Sequence, residues 1–69
     1  MKISARNILK GKIVRVIRGA VNAEVTIELP GGIHIVSIIT NSSVDNLNLT
    51  DGKDAYAIIK AYNVMIVVD

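Results

Sequence analysis

Between Val21 and Leu29 apolar and polar residues alternate without interruption. Val21, Ala23, Val25, Ile27 and Leu29 fall on one face of a strand, and Asn22, Glu24, Thr26 and Glu28 fall on the other. The first face reads as core and the second as solvated. The preceding stretch, Lys12 to Arg18, alternates more loosely, with Val14 and Val16 on one side and Arg15 opposite, and predicts a strand that begins just after Gly11. The glycine marks a bend or bulge. Arg18-Gly19-Ala20 joins the two strands as a hairpin, which would let Arg15 and Arg18 meet Glu24 and Glu28 across the pair.

Pro30-Gly31-Gly32 is a strong turn signal and predicts a second hairpin. The third strand, Ile33 to Ile39, breaks the alternation, because Ile35, Val36, Ile38 and Ile39 are apolar on both faces. Thr40 to Leu47 then changes character. Hydroxyls and an asparagine precede Val44 and Leu47, and Ser42 with Asp45 has capping-box spacing, so a short helix is expected to start near Asn41. Asp51-Gly52 marks a loop, after which Asp54 to Ala61 and Asn63 to Val68 read as the last two strands. In the former, Tyr56, Ile58 and Lys60 share one face, while Ala55, Ala57, Ile59 and Ala61 share the other. The latter is apolar on both sides. Five strands with one short helix between the third and fourth predict an all-β fold, a five-stranded Greek-key barrel of the oligonucleotide-binding (OB) type, spanning residues 1–69 as a single domain.

Composition sharpens this picture at two points. A chain of 69 residues hides only about 60% of the surface it exposes when unfolded. Without cysteine, and with His34 alone and no second ligand beside it, neither a disulfide nor a zinc site can supply the missing stability. His34 therefore reads as a solvated edge residue. Oligomerisation is the remaining common solution, and two strands apolar on both faces call for a subunit interface. No run approaches the roughly 20 apolar residues of a membrane span, and the N-terminus lacks the apolar core of a signal peptide, so a cytoplasmic location is expected.

Charge is the second point. Six of the eight Lys and Arg residues lie at or before Arg18, whereas all six acids lie beyond it, so the basic character is local within a formal net charge of only +2. Ser4, Arg6, Thr40, Ser43 and Lys60 are not accounted for by core or hairpin. Each has an ordinary alternative: Ser4 and Asn7 as turn formers near a terminus, Arg6 as a solvated or paired surface charge, Thr40, Ser42 and Ser43 as helix caps contributing about 1 kcal/mol each, and Lys60 as a snorkelling edge residue. Together, two cations, several hydroxyls and free helix N–H groups would suit a small dianion. The chain offers no nucleophile with a base, no paired carboxylates and no phosphate-cradling glycine loop, so reversible binding is expected rather than catalysis.

Ser4-Ala5-Arg6-Asn7, followed by Leu9-Lys10-Gly11, Val21-Asn22-Ala23-Glu24-Val25, Gly31-Gly32, Ser37-Ile38-Ile39-Thr40, Ser43 and Ile59-Lys60-Ala61, closely resembles the molbindin (Mop) family of single-domain molybdate-binding proteins. The likeness runs through almost the whole chain, and the Ser-Ala-Arg-Asn opening is its most specific motif. Related domains also occur in molybdate-responsive regulators and beside the ATPase of molybdate importers; this chain looks like the free-standing form. The resemblance implies an OB-type barrel assembled as a homo-hexamer, a trimer of dimers, that holds molybdate or tungstate between subunits for storage and homeostasis, with no organic cofactor, nucleic acid or membrane partner. It implies oxyanion contacts from Ser4, Ala5, Arg6 and Asn7, from Thr40 and Ser43, and from Lys60 with the Ala61 backbone; no metal is coordinated directly by side chains. The resemblance also implies a second kind of site near a threefold axis. Two other readings stand beside this one: a small nucleic-acid-binding barrel, disfavoured because Tyr56 and Tyr62 are the only aromatic residues available for stacking, and a structural oligomer without a ligand.

Overall fold

The structure is a computed structural model that describes residues 2–69. Four strands, β1 (Asn7–Arg18), β2 (Asn22–Glu28), β3 (His34–Thr40) and β4 (Asp54–Ile59), form one antiparallel sheet in the order β3-β2-β1-β4, and a six-residue helix α1 (Asn41–Asn46) lies between β3 and β4 in sequence. The 12-residue β1 organises the fold. Its first half pairs with β4 from Asn7↔Ile59 to Lys12↔Asp54, and its second half pairs with β2 from Lys12↔Glu28 to Arg18↔Ala23. Lys12 therefore stands where one ladder hands over to the other, and the sheet curls around that point.

Two sequence features permit the curl. Gly11 is buried within β1 rather than ahead of it, and a Cβ there would lie 2.5 Å from the Glu28 carbonyl oxygen and 2.6 Å from Ile27 Cγ2. Only glycine lets the two backbones approach so closely. Just beyond it, the register slips between Ile13 and Arg15, a bulge at Val14. The extra residue reverses the inward face, so that Ile13 and Val16 point to the core while Val14 is exposed. Val14 and Val16 thus do not share a face, and the expected strand start after Gly11 moves back to Asn7.

The core consists of Ile13, Ala23, Val25, Ile27, Val44 and Ala57, with Leu9, Val16, Leu29, Ile35, Ile39, Leu49 and Ala55 packed against it. The alternation in β2 holds on its apolar side, but Thr26 on the other side is also buried. Val44 carries α1 onto the core and is 1% exposed. Leu29-Pro30-Gly31-Gly32 closes the β2–β3 turn, where Gly32 N–H donates to the Leu29 carbonyl at 3.1 Å and both glycines take positive φ.

The expected charge pairs across the β1–β2 hairpin do not form. Arg18 instead reaches Asp45 of α1 at 2.6 Å, Glu28 meets His34 at 3.1 Å, and Lys12 bonds Asp54 at 2.7 Å. The helix brings an acid closer to Arg18 than its own hairpin does.

The expected fifth strand is absent from this sheet. After β4 a 3₁₀ turn covers Ala61–Asn63, and residues 64–69 run on without a strand partner. Met65 is 94% exposed and Val67 91%. The all-β, OB-like architecture with one short helix stands, with four strands in the sheet. Both of its edges, β3 and β4, are unpaired along their outer sides, and an apolar groove between them is lined in part by Ile13, Ile27, Ser37, Ile39, Leu49 and Ala55. Among the described residues no helix is long and apolar enough to cross a membrane.

Candidate functional site

The N-terminal segment and the end of β4 come together because β1 and β4 pair from their outermost residues, Asn7 and Ile59. Asn7 secures this corner with its own side chain, whose Nδ2 donates to the Ile59 carbonyl at 3.2 Å. Beside it lies a concavity walled by Ile3, Ser4, Ala5 and Arg6 from one segment and by Ile58, Lys60, Ala61 and Tyr62 from the other. Ile58 and Lys60 are two residues apart and therefore project on the same side of the β4 path. Five of the eight predicted residues, Ser4, Ala5, Arg6, Lys60 and Ala61, thus share one wall-to-wall space; Asn7 sits at its edge as a structural clasp.

The electrostatics of this space are one-sided. Its lining includes two cations and no carboxylate. Among the described residues, Arg6 and Lys60 form no ion pair, in contrast to Lys12, Arg18 and His34. A guanidinium supplies a planar fork of donors and an ammonium a compact charge, which suits a small anion with several equivalent oxygens. The volume is about 590 Å³, far more than four oxygens around one centre occupy. One chain alone leaves the space too wide to enclose such an ion.

Thr40 and Ser43 lie elsewhere. Thr40 pairs with Asn22 at the far end of the β2–β3 ladder, level with the last residues of β1 rather than the first. It is the N-cap of α1, and its Oγ1 accepts the Ser43 N–H at 3.1 Å, so the cap pair is Thr40 and Ser43 rather than Ser42 and Asp45. Within one chain the eight predicted residues therefore form two groups, one at each end of β1. The walls contributed by Ile3, Ile58 and Tyr62 were not singled out from sequence. Ile58 reads as an ordinary apolar strand residue, although its spacing from Lys60 puts the two on one face.

Elsewhere Lys12 and Lys10 hold the Asp54 carboxyl below its usual range, chiefly through the Lys12 hydrogen bond. No cluster of three or more metal-ligating side chains occurs among the described residues.

Comparison with known proteins bears on family and fold. The TOBE domain model matches residues 3–66. A probable molybdenum-pterin-binding protein of Haemophilus influenzae is 54% identical over 69 residues, covering 100% of both chains. Among solved structures, a molybdate-binding protein from Sporomusa ovata superposes with a TM-score of 0.92 at 32% identity, covering 99% of this chain and 100% of that one. The cytoplasmic molybdate-binding protein ModG, in a crystal form with molybdate bound, gives a TM-score of 0.91 at 49% identity, covering 94% of this chain and 46% of that one.

Proposed function

The chain belongs to the TOBE domain family, in its single-domain molbindin branch, and from that premise we propose that it binds molybdate, and tungstate in the same way, reversibly and without catalysis, serving intracellular storage and homeostasis. Residues 1–69 act as one ligand-binding domain. The observation that carries the reading is the acid-free concavity in which Ser4, Arg6 and Lys60 converge. Charge comes from Arg6 and Lys60, directional donation from Ser4 and from the backbone at Ala5 and Ala61, and the positioning of both walls from Asn7.

Thr40 and Ser43 complete the site only if a second subunit supplies them, since their own chain places them at the other end of β1. Self-assembly has independent support. The segment after Asn63 is apolar, exposed and unpaired, and the groove between the free edges of β3 and β4 is apolar and open. β3 has seven residues and β4 six, a length that the segment 64–69 matches. Inserting this arm into the groove of a second copy would pair both edges and cover both apolar faces of the arm. Val36 and Ile38 of β3 and Ile8 of β1 are exposed in the single chain and do not line that groove, which favours further association of dimers into a hexamer.

Isothermal calorimetry with molybdate in phosphate-free buffer tests the function. Saturable binding with a defined stoichiometry per subunit is expected. Salt-dependent binding to a single-stranded oligonucleotide with no molybdate heat would favour the nucleic-acid alternative instead.

A further inference from the structure

We infer that Tyr62 is an additional residue of the oxyanion site, its phenol hydroxyl donating a hydrogen bond to the bound anion from the side that Ser4, Arg6 and Lys60 leave open; this rests on reading their concavity as the molybdate site. Tyr62 lines that concavity with the three polar residues. Neither the core nor any hydrogen bond among the described residues accounts for its side chain, which is 97% exposed. A tyrosine left wholly in water gives up the large apolar contact that the residue ordinarily makes. Its backbone, in contrast, is fixed. Asn63 N–H donates to the Lys60 carbonyl at 2.9 Å and Val64 N–H to that of Ala61 at 3.3 Å, closing the 3₁₀ turn around it. The Cα is therefore held two residues from Lys60 while the ring remains free to swing.

The chemistry of the wall directs that swing. No carboxylate lines the space, so the phenol O–H has no competing charged acceptor there until an anion arrives. The ring face can meanwhile lie against the Arg6 guanidinium, a favourable arrangement of a cation over an aromatic surface. Tyr62 is the only aromatic among the walls of the concavity, and its side chain adds a donor beside those that Thr40 and Ser43 of a second subunit would bring.

Because Tyr62 packs against almost nothing, Tyr62→Phe and Tyr62→Ala leave the subunit folded, which circular dichroism and sedimentation check directly. Molybdate affinity by calorimetry is expected to fall about tenfold in both variants, the magnitude of one lost hydrogen bond to a charged acceptor. The chain has two tyrosines and no tryptophan or phenylalanine, so in a Tyr56→Phe background Tyr62 is the sole aromatic chromophore apart from the introduced phenylalanine. Its near-ultraviolet difference spectrum should change on adding tungstate and stay flat on adding chloride. Affinity within twofold of wild type in Tyr62→Phe, or a silent spectrum at saturation, would overturn the assignment while leaving the site itself intact. Absence of molybdate binding by the wild-type protein would overturn both.

Discussion

Thr40 and Ser43 are bonded to each other twice: Thr40 Oγ1 accepts the Ser43 N–H at 3.1 Å and donates its hydroxyl to Ser43 Oγ at 2.9 Å. The arrangement divides labour within the pair. The Thr40 hydrogen is spent on Ser43, so the Ser43 hydroxyl hydrogen is the one free for an anion. Thr40→Ala should therefore destabilise the fold by about 1 kcal/mol in urea unfolding, as loss of an N-cap does. Ser43→Ala leaves the cap intact, so it should change stability by less than about 0.5 kcal/mol while weakening molybdate binding. Equal effects of the two variants on stability would contradict this division.

Arg6 supplies the only guanidinium in the concavity. Arg6→Ala should raise the dissociation constant for molybdate roughly ten- to hundredfold, as removal of charge-assisted donors from a dianion does. Arg6→Lys keeps the charge without the planar fork and should fall between the two. Calorimetric affinity unchanged in Arg6→Ala would remove the residue from the site.

Gly11 tests the architecture rather than the ligand. The side chain of Gly11→Ala would meet backbone, not a flexible group, at 2.5 Å. The strands must separate where both ladders meet, and a loss of more than about 2 kcal/mol is expected in denaturant unfolding. A wild-type midpoint for this variant would mean that the curl at Lys12 does not depend on close backbone approach.

Acid sensitivity has a local source in Asp54. The Lys12 hydrogen bond and charge hold its carboxyl, in the folded protein, below the ordinary value of 3.8. A depressed carboxylate stabilises the fold above its unfolded pKa, and that contribution disappears as pH falls below 3.8 and through the folded value. Both partners are more than half exposed, so the effect is small and screened by salt. The stability difference between wild type and Asp54→Asn should be present at neutral pH, shrink below that range, and be smaller in high salt.

The arm after Asn63 is the test of assembly. Ile66→Asp puts a charge where the proposed exchange requires an apolar contact, and its own subunit makes no use of the side chain, which is 88% exposed. Sedimentation should report an oligomer for wild type and a folded monomer for the variant. An unchanged oligomer would rule out the arm as the connecting element.

The sequence already showed most of the sheet, because alternation in β2, the Pro-Gly-Gly turn and the switch to polar residues at Thr40 are local signals. The bulge at Val14 was not legible. One extra residue leaves composition unchanged and appears only when a partner strand is counted against it. Arg18 was misassigned for a related reason, since Asp45 approaches through the fold while Glu24 and Glu28 are near in sequence. The arm, expected as a fifth strand, forms none within its own chain, although its residues are apolar on both sides. Sequence pattern records what a segment needs to cover, but not which chain covers it. The opening Ser4-Ala5-Arg6-Asn7 and Lys60-Ala61 were identified by resemblance, and the β1–β4 register brings them together; Tyr62 carried no periodic or motif signal at all.

The separation of the two polar groups by the length of β1 has a consequence for dosage. If each site is drawn from two chains, as proposed, the number of working sites follows the population of associated subunits rather than the number of chains made. A dilute protein would hold its ligand loosely and a concentrated one tightly, and ligand in turn would draw subunits together. Capacity would then rise more steeply than expression, so that a modest change in synthesis moves the reservoir between nearly empty and nearly full.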